Sequence, residues 1–151
     1  DGEFHFPVVS GIAESMPREA REQRMSMYVR FMKDIEHTRP GAGDRVSEAD
    51  LSDASDLRVT LVGLGTASGS HAPILVHFGD SDFGNRYHLL AENIDQWRAS
   101  AGSVDSVDLR FARQVVVNPE SKTIEASVKQ GVSQTAPQHA AARPGAAKKR
   151  R

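Results

Sequence analysis

Apolar and polar residues alternate in several short runs of this chain, and two longer stretches repeat at helical spacing. The clearest stripe is Phe83, Tyr87, Leu90, Ile94 and Trp97. Steps of four and three residues place these side chains on one face of a helix. Asp80, Ser81 and Asp82 stand where helix caps belong, and Gly102 stands where the helix should close. A second helix is predicted in ESMPREAREQRMSMYVRFMKDIEHTRPGAG. Met25, Tyr28, Val29, Met32 and Ile35 fall on one face, and Met27 and Phe31 widen it. Ser15 is a candidate cap, Pro17 suits the first turn, and Arg39, Pro40 and Gly41 end the helix.

The alternating runs predict strands. FHFPVVSGI (Phe4–Ile12) contains Pro7, which cannot donate to a ladder, so it belongs at an edge or a strand start. Val46 to Leu51 is weakly strand-like. Leu57, Val59 and Leu61 alternate with Arg58 and Thr60. In PILVHFGD, Ile74, Val76 and Phe78 share one face, and Leu75 and His77 take the other. In SVDLRFARQVVVNP, Val107, Leu109 and Phe111 alternate with Ser106, Asp108 and Arg110. A tight connection at Ala112 and Arg113 then leads to Gln114–Val117, expected to be the last ordered element. The order is β–α–β–β–β–α–β–β. It predicts an α+β fold, a mixed and largely antiparallel sheet with two amphipathic helices packed on it.

Composition divides the chain in two. Residues 1–118 hold 12 Lys/Arg against 18 Asp/Glu, and residues 119–151 hold 7 against 2. The apolar clusters stop at Val117, so 1–119 is expected to be the folded domain. Residues 120–151 are expected to be a disordered basic tail, with too few large side chains to offset ordering entropy. Hydrophobic residues make up 38% of the chain and the mean hydropathy is −0.46. No run approaches the ~20 apolar residues of a membrane-spanning helix. The chain begins at Asp1 and is read as a piece or processed form of a longer protein. With no cysteine, thiol nucleophiles, disulfides and Cys-based zinc sites are excluded.

Catalytic patterns are weak. Ser70, His71 and Asp80 make a triad only on paper, because no Gly-x-Ser-x-Gly elbow carries the serine. His77, Asp80, Asp82 and His88 lie close in sequence without metal-ligand spacing. VGLGTASG lacks phosphate-loop spacing and precedes another strand, so it reads as a hairpin loop. The terminal AAKKRR could attract polyanions, but no aromatic residues interleave for base stacking. No cofactor, metal or nucleic acid is therefore expected. The remaining feature is Val115, Val116 and Val117, three β-branched residues in a terminal strand. An open edge of this kind is a liability unless covered or used, and β-augmentation is its use.

Five segments in order carry a family resemblance: FPVVSGI, a helix, VSEADLSDASDLRVTL, ILVHFGDSDFGNRYHLL and WRASAGSVDSVDLRFARQVVVNP. Over nearly all of residues 4–119 the chain resembles the extracytoplasmic β-domain of the bacterial cell-division protein FtsQ/DivIB family. The resemblance implies a non-enzymatic divisome scaffold at the division septum, on the periplasmic side of the inner membrane. Its anchor and a POTRA domain would lie in a segment absent here. It implies binding of the FtsB and FtsL pair, addition of an FtsB strand to the last strand, and help in controlling septal peptidoglycan synthesis. The implied partner surface is Arg110, Phe111, Arg113, Gln114, Val115, Val116 and Val117. Arg110, in the family's DLR motif, would meet a partner carboxylate. Phe111 stands where an aromatic, often tyrosine, is usual, and Ala112-Arg113 departs from the small residue or glycine common there. The alternatives are an envelope-associated domain with another partner, and a hydrolase using His71, His77 and Asp80.

Overall fold

The computed structural model describes residues 6–66, 72–111 and 113–119. The expected tail 120–151, together with Ser70 and His71, lies outside them. The elements in chain order are β1 (Val8–Ser10), α1 (Arg18–Thr38), β2 (Val46–Asp53), β3 (Asp56–Leu61), β4 (Ile74–His77), α2 (Phe83–Ala101), β5 (Ser106–Phe111) and β6 (Gln114–Val117). A 3-10 turn, Gly43–Arg45, precedes β2. The fold is α+β, as the sequence pattern predicts.

The six strands lie side by side in the order in which they occur in the chain. β1 and β2 are parallel, as are β4 and β5, and each parallel pair is joined through a helix. The other three neighbouring pairs are antiparallel. Both helical crossovers start from strands of the same direction and advance the same way across the sheet. A common handedness therefore puts both helices on one face. Phe31 of α1 meets Phe83 of α2 at 5.4 Å between ring centroids and Phe78 at 4.8 Å. Both contacts are edge-on, the arrangement that aromatic quadrupoles favour.

Strand parity explains the core. Leu57, Val59 and Leu61 of β3, Ile74 and Val76 of β4, and Val107 and Leu109 of β5 are all buried. The helices cover them with Met27, Phe31 and Ile35 from α1 and Phe83, Tyr87, Leu90 and Ile94 from α2. The stripe on α2 is the predicted one. The stripe on α1 is rotated: Met25 and Val29 are 40% and 60% exposed. The helix seats itself by Phe31, which enters the aromatic cluster, and the buried line follows at steps of four.

The predicted caps also differ. Pro17 stands at the N-cap of α1, with no side-chain hydrogen bond from Ser15 or any other residue. Asp82 stands at the N-cap of α2 in a left-handed conformation (φ 56°). Its carboxylate takes Asn85 Nδ2 at 2.7 Å and no backbone N–H. A capping carboxylate normally needs an extended backbone at its own residue. Gly11 follows β1 at φ +85°, and a Cβ there would lie 2.2 Å from the Ser52 nitrogen. Only glycine lets the edge strand turn away so close to β2.

Candidate partner-binding edge

The sheet face away from the helices carries a row of charged and polar side chains in register. Asp50 pairs with Arg58, Arg58 with His77, His77 with Asp108, and Asp108 with Val116. Each strand contributes one position, because residues in register on neighbouring strands face the same way. The row ends on β6, the edge strand.

Asp56, at the start of β3, organises this face. It is 2% exposed and accepts hydrogen bonds from His77 Nδ1 at 2.8 Å, Gly79 N at 3.1 Å and Arg58 Nε at 3.2 Å. Arg110 Nη1 lies 3.5 Å from the same carboxylate. A buried carboxylate persists only with such partners. Asp56 was not among the predicted site residues, since in ASD before a strand it reads as part of a turn. Gly79 reaches the carboxylate at φ +71°, and a Cβ there would sit 2.5 Å from Arg86 Nη1.

Arg110 is committed within the domain. Its Nε and Nη2 donate to the Asp108 carboxylate, and its backbone N–H donates to Asp108 Oδ1 at 3.0 Å. Burial pushes the Asp108 pKa up, but the hydrogen bonds from Arg110 outweigh it and hold the group below the ordinary carboxylate value. The same bond raises Arg110 above its ordinary value. The carboxylate that the resemblance assigned to a partner is thus matched here by Asp108 of the same strand. The Arg110 side chain remains 41% exposed and lies over the Phe111 ring, 5.9 Å from its centroid.

Phe111 leaves the alternation of Val107 and Leu109. Those two are buried, and Phe111 is 53% exposed. The cause is a register shift between Asp108 and Phe111, after which Phe111 pairs with Gln114. An extra residue on one strand re-aims the side chains beyond it. Arg113 and Gln114 are exposed, and Val115, Val116 and Val117 are half-buried. Val115 and Val117 pack against the core.

The far end of β6 is fixed by Asn118. Its N–H donates to Ser106 O at 2.7 Å. Its side chain accepts from Asp105 N at 2.8 Å and donates to Ser103 O at 2.9 Å. Asn118 is left-handed (φ 54°), a conformation asparagine tolerates and the Asn-Pro pair hints at. Its backbone bond also sets parity. In an antiparallel ladder alternate residues turn both polar groups to the neighbour. Asn118 and Val116 face β5, so Val115 and Val117 turn their N–H and C=O groups to the outer side. Among the described residues, no strand pairs with that side.

Of the other candidate residues, Ser70 and His71 lie outside the described residues. His77 binds Asp56, whereas Asp80 is exposed and its carbonyl accepts from Arg30 Nη2 at 2.6 Å. Among the described residues, no group of three His, Asp or Glu side chains could hold a metal. No described helix is long and apolar enough to cross a membrane.

No family model matches the chain. It is 36% identical over 118 residues to the cell division protein FtsQ of Koribacter versatilis (strain Ellin345). That alignment covers 78% of this chain and 32% of the relative, so the chain spans about a third of the protein it matches. With 36% identity extending over more than three quarters of its length, the chain belongs to the FtsQ family of cell-division proteins.

Proposed function

We propose that this chain is the partner-binding β-domain of a non-enzymatic divisome scaffold. It takes a strand of an FtsB-type protein on the outer edge of β6 and engages the FtsB–FtsL pair. Through that pair it helps control septal peptidoglycan synthesis, on the periplasmic side of the inner membrane at the division septum.

The observation that carries this reading is the outer edge of β6, which pairs with no strand among the described residues. Val115 and Val117 direct their backbone groups outward there, beside an exposed Phe111. A partner strand would complete that ladder and would draw specificity from alternate side chains. Phe111 supplies a ring beside the edge, held under the guanidinium of Arg110. Aromatic anchors of this kind dominate interface energies. Arg113 and Gln114, both exposed at the hairpin end, flank the same edge.

Calorimetric titration with an FtsB-type peptide tests the reading. Phe111→Ala should weaken binding at least tenfold and change folding stability by less than about 0.5 kcal/mol, as for other exposed sites. Unchanged affinity in Phe111→Ala and in Val117→Pro would sink the edge as the binding site.

A further inference from the structure

A small cavity lies away from the β6 edge, between the end of α1, the start of β2 and the middle of α2. It has a volume of about 150 Å³, and its lining includes Arg39, Arg45, Leu64, Thr66, Tyr87 and Asp95. Tyr87 is 1% exposed, and its hydroxyl is buried with no hydrogen-bond partner among the described residues. A buried hydroxyl without a partner is rare in a native fold and points to something that completes it. Burial raises the pKa of this phenol; the Arg45 and Arg39 charges oppose that push and the Glu36 carboxylate adds to it. Arg39 is exposed beside the opening, and Arg45, also exposed, donates from Nη1 to Gly63 O. Behind the same wall Arg98 donates to Leu64 O, and its Nη2 is buried without a partner among the described residues. The carboxylate on the lining, Asp95, already accepts from Thr66 N at 3.0 Å and Thr66 Oγ1 at 2.7 Å.

The geometry points to a binding site for a small oxyanion, with Arg39 and Arg45 at its mouth and the Tyr87 hydroxyl at its floor. Arg39, Arg45 and Arg98 outnumber the nearby carboxylates Asp95 and Glu36, both of which already accept backbone hydrogen bonds, so the local charge is positive. The groups left to satisfy are donors, and an oxyanion offers only acceptors. Arginine forks match carboxylate and phosphate geometry in pairs. The volume is roughly that of five waters at ~30 Å³ each, enough for an anion of phosphate size. An oxyanion would draw the Arg39 guanidinium to the opening, take the remaining donors of Arg45 and let the hydroxyl donate to it.

The test is a titration of the whole chain with inorganic phosphate and, separately, with acetate. Chloride holds the ionic strength constant, and the Thr66 and Ala91 amides are followed by NMR. Saturable shifts are expected with at least one of the two. Saturation by phosphate alone assigns a phosphate group, and saturation by acetate alone assigns a carboxylate. Tyr87→Phe keeps the ring in the core and should weaken the saturating anion about tenfold, the loss of one charge-assisted hydrogen bond. It should also raise the melting temperature of the free protein, because the orphaned hydroxyl is gone. Arg39→Ala, at an exposed position, should weaken binding similarly. Linear drift with phosphate, acetate and chloride alike would overturn the site, as would unchanged affinity in both variants.

Discussion

Arg110 grips Asp108, two residues back on the same strand, donating from Nε at 3.0 Å and from Nη2 at 2.7 Å. The carboxylate is 4% exposed, so this pair locks β5 where it meets the hairpin to β6. The folded pKa of Asp108 is depressed, with burial opposed and outweighed by Arg110. Its contribution is therefore complete above the unfolded value of ~4 and is lost as pH falls through the lower folded value. Arg110→Ala should cost about 2 kcal/mol at pH 7, because it strips a buried carboxylate of its main partner. It should also flatten the loss of stability between pH 4 and pH 2. Urea unfolding across that range measures both effects, and an acid dependence equal to that of the parent protein would contradict the assignment.

Two prolines separate folding from strand addition. Val116 turns its N–H to β5, and Val117 turns its N–H outward. Val116→Pro should remove a ladder bond and cost about 1–3 kcal/mol. Val117→Pro should leave the melting temperature near that of the parent and abolish capture of an FtsB-type peptide. Finding the larger thermal loss in Val117→Pro would mean that the outward and inward positions are reversed.

Gly11→Ala should detach β1 from β2. The added Cβ would meet the Ser52 nitrogen at 2.2 Å, and φ +85° is itself strained for alanine. Faster hydrogen exchange confined to residues 8–10 and 48–50 is the expected result. Exchange indistinguishable from the parent would show that the turn has room to relax.

Removing residues 120–151 should shift the melting temperature by no more than about 2 °C, a stability change below ~0.5 kcal/mol. Among the described residues, the buried apolar side chains of the core lie between Met27 and Leu109. A larger drop in calorimetry would assign part of the tail to the fold.

The elements were legible in the sequence because strand and helix periods differ, and α2 shows why. Phe83, Tyr87, Leu90 and Ile94 repeat at helical spacing and nothing apolar competes with them. On α1, seven apolar residues compete, and the seat is chosen by where Phe31 meets Phe78 and Phe83. That is a tertiary fact with no local signature. β2 looked weak because Glu48 and Asp50 sit on the open face of the sheet, although Ala49 and Leu51 are fully buried. The edge itself was readable from the three valines. Asp56 and the Asp108–Arg110 pair were not, since burial of a charge depends on partners brought from other strands. The exposure of Phe111 depends on a one-residue slip that alternation alone cannot reveal.

The spatial order of the strands has a consequence for assembly. Among the described residues the sheet is laid down in chain order, so β6 is the last of these strands in sequence and the last place in the row. A strand arriving from another protein would take the seventh position, the one this chain's own progression would fill next. The incoming segment then needs no displacement of a resident element and no opening of the core. Recognition becomes a continuation of folding, with the final step supplied in trans.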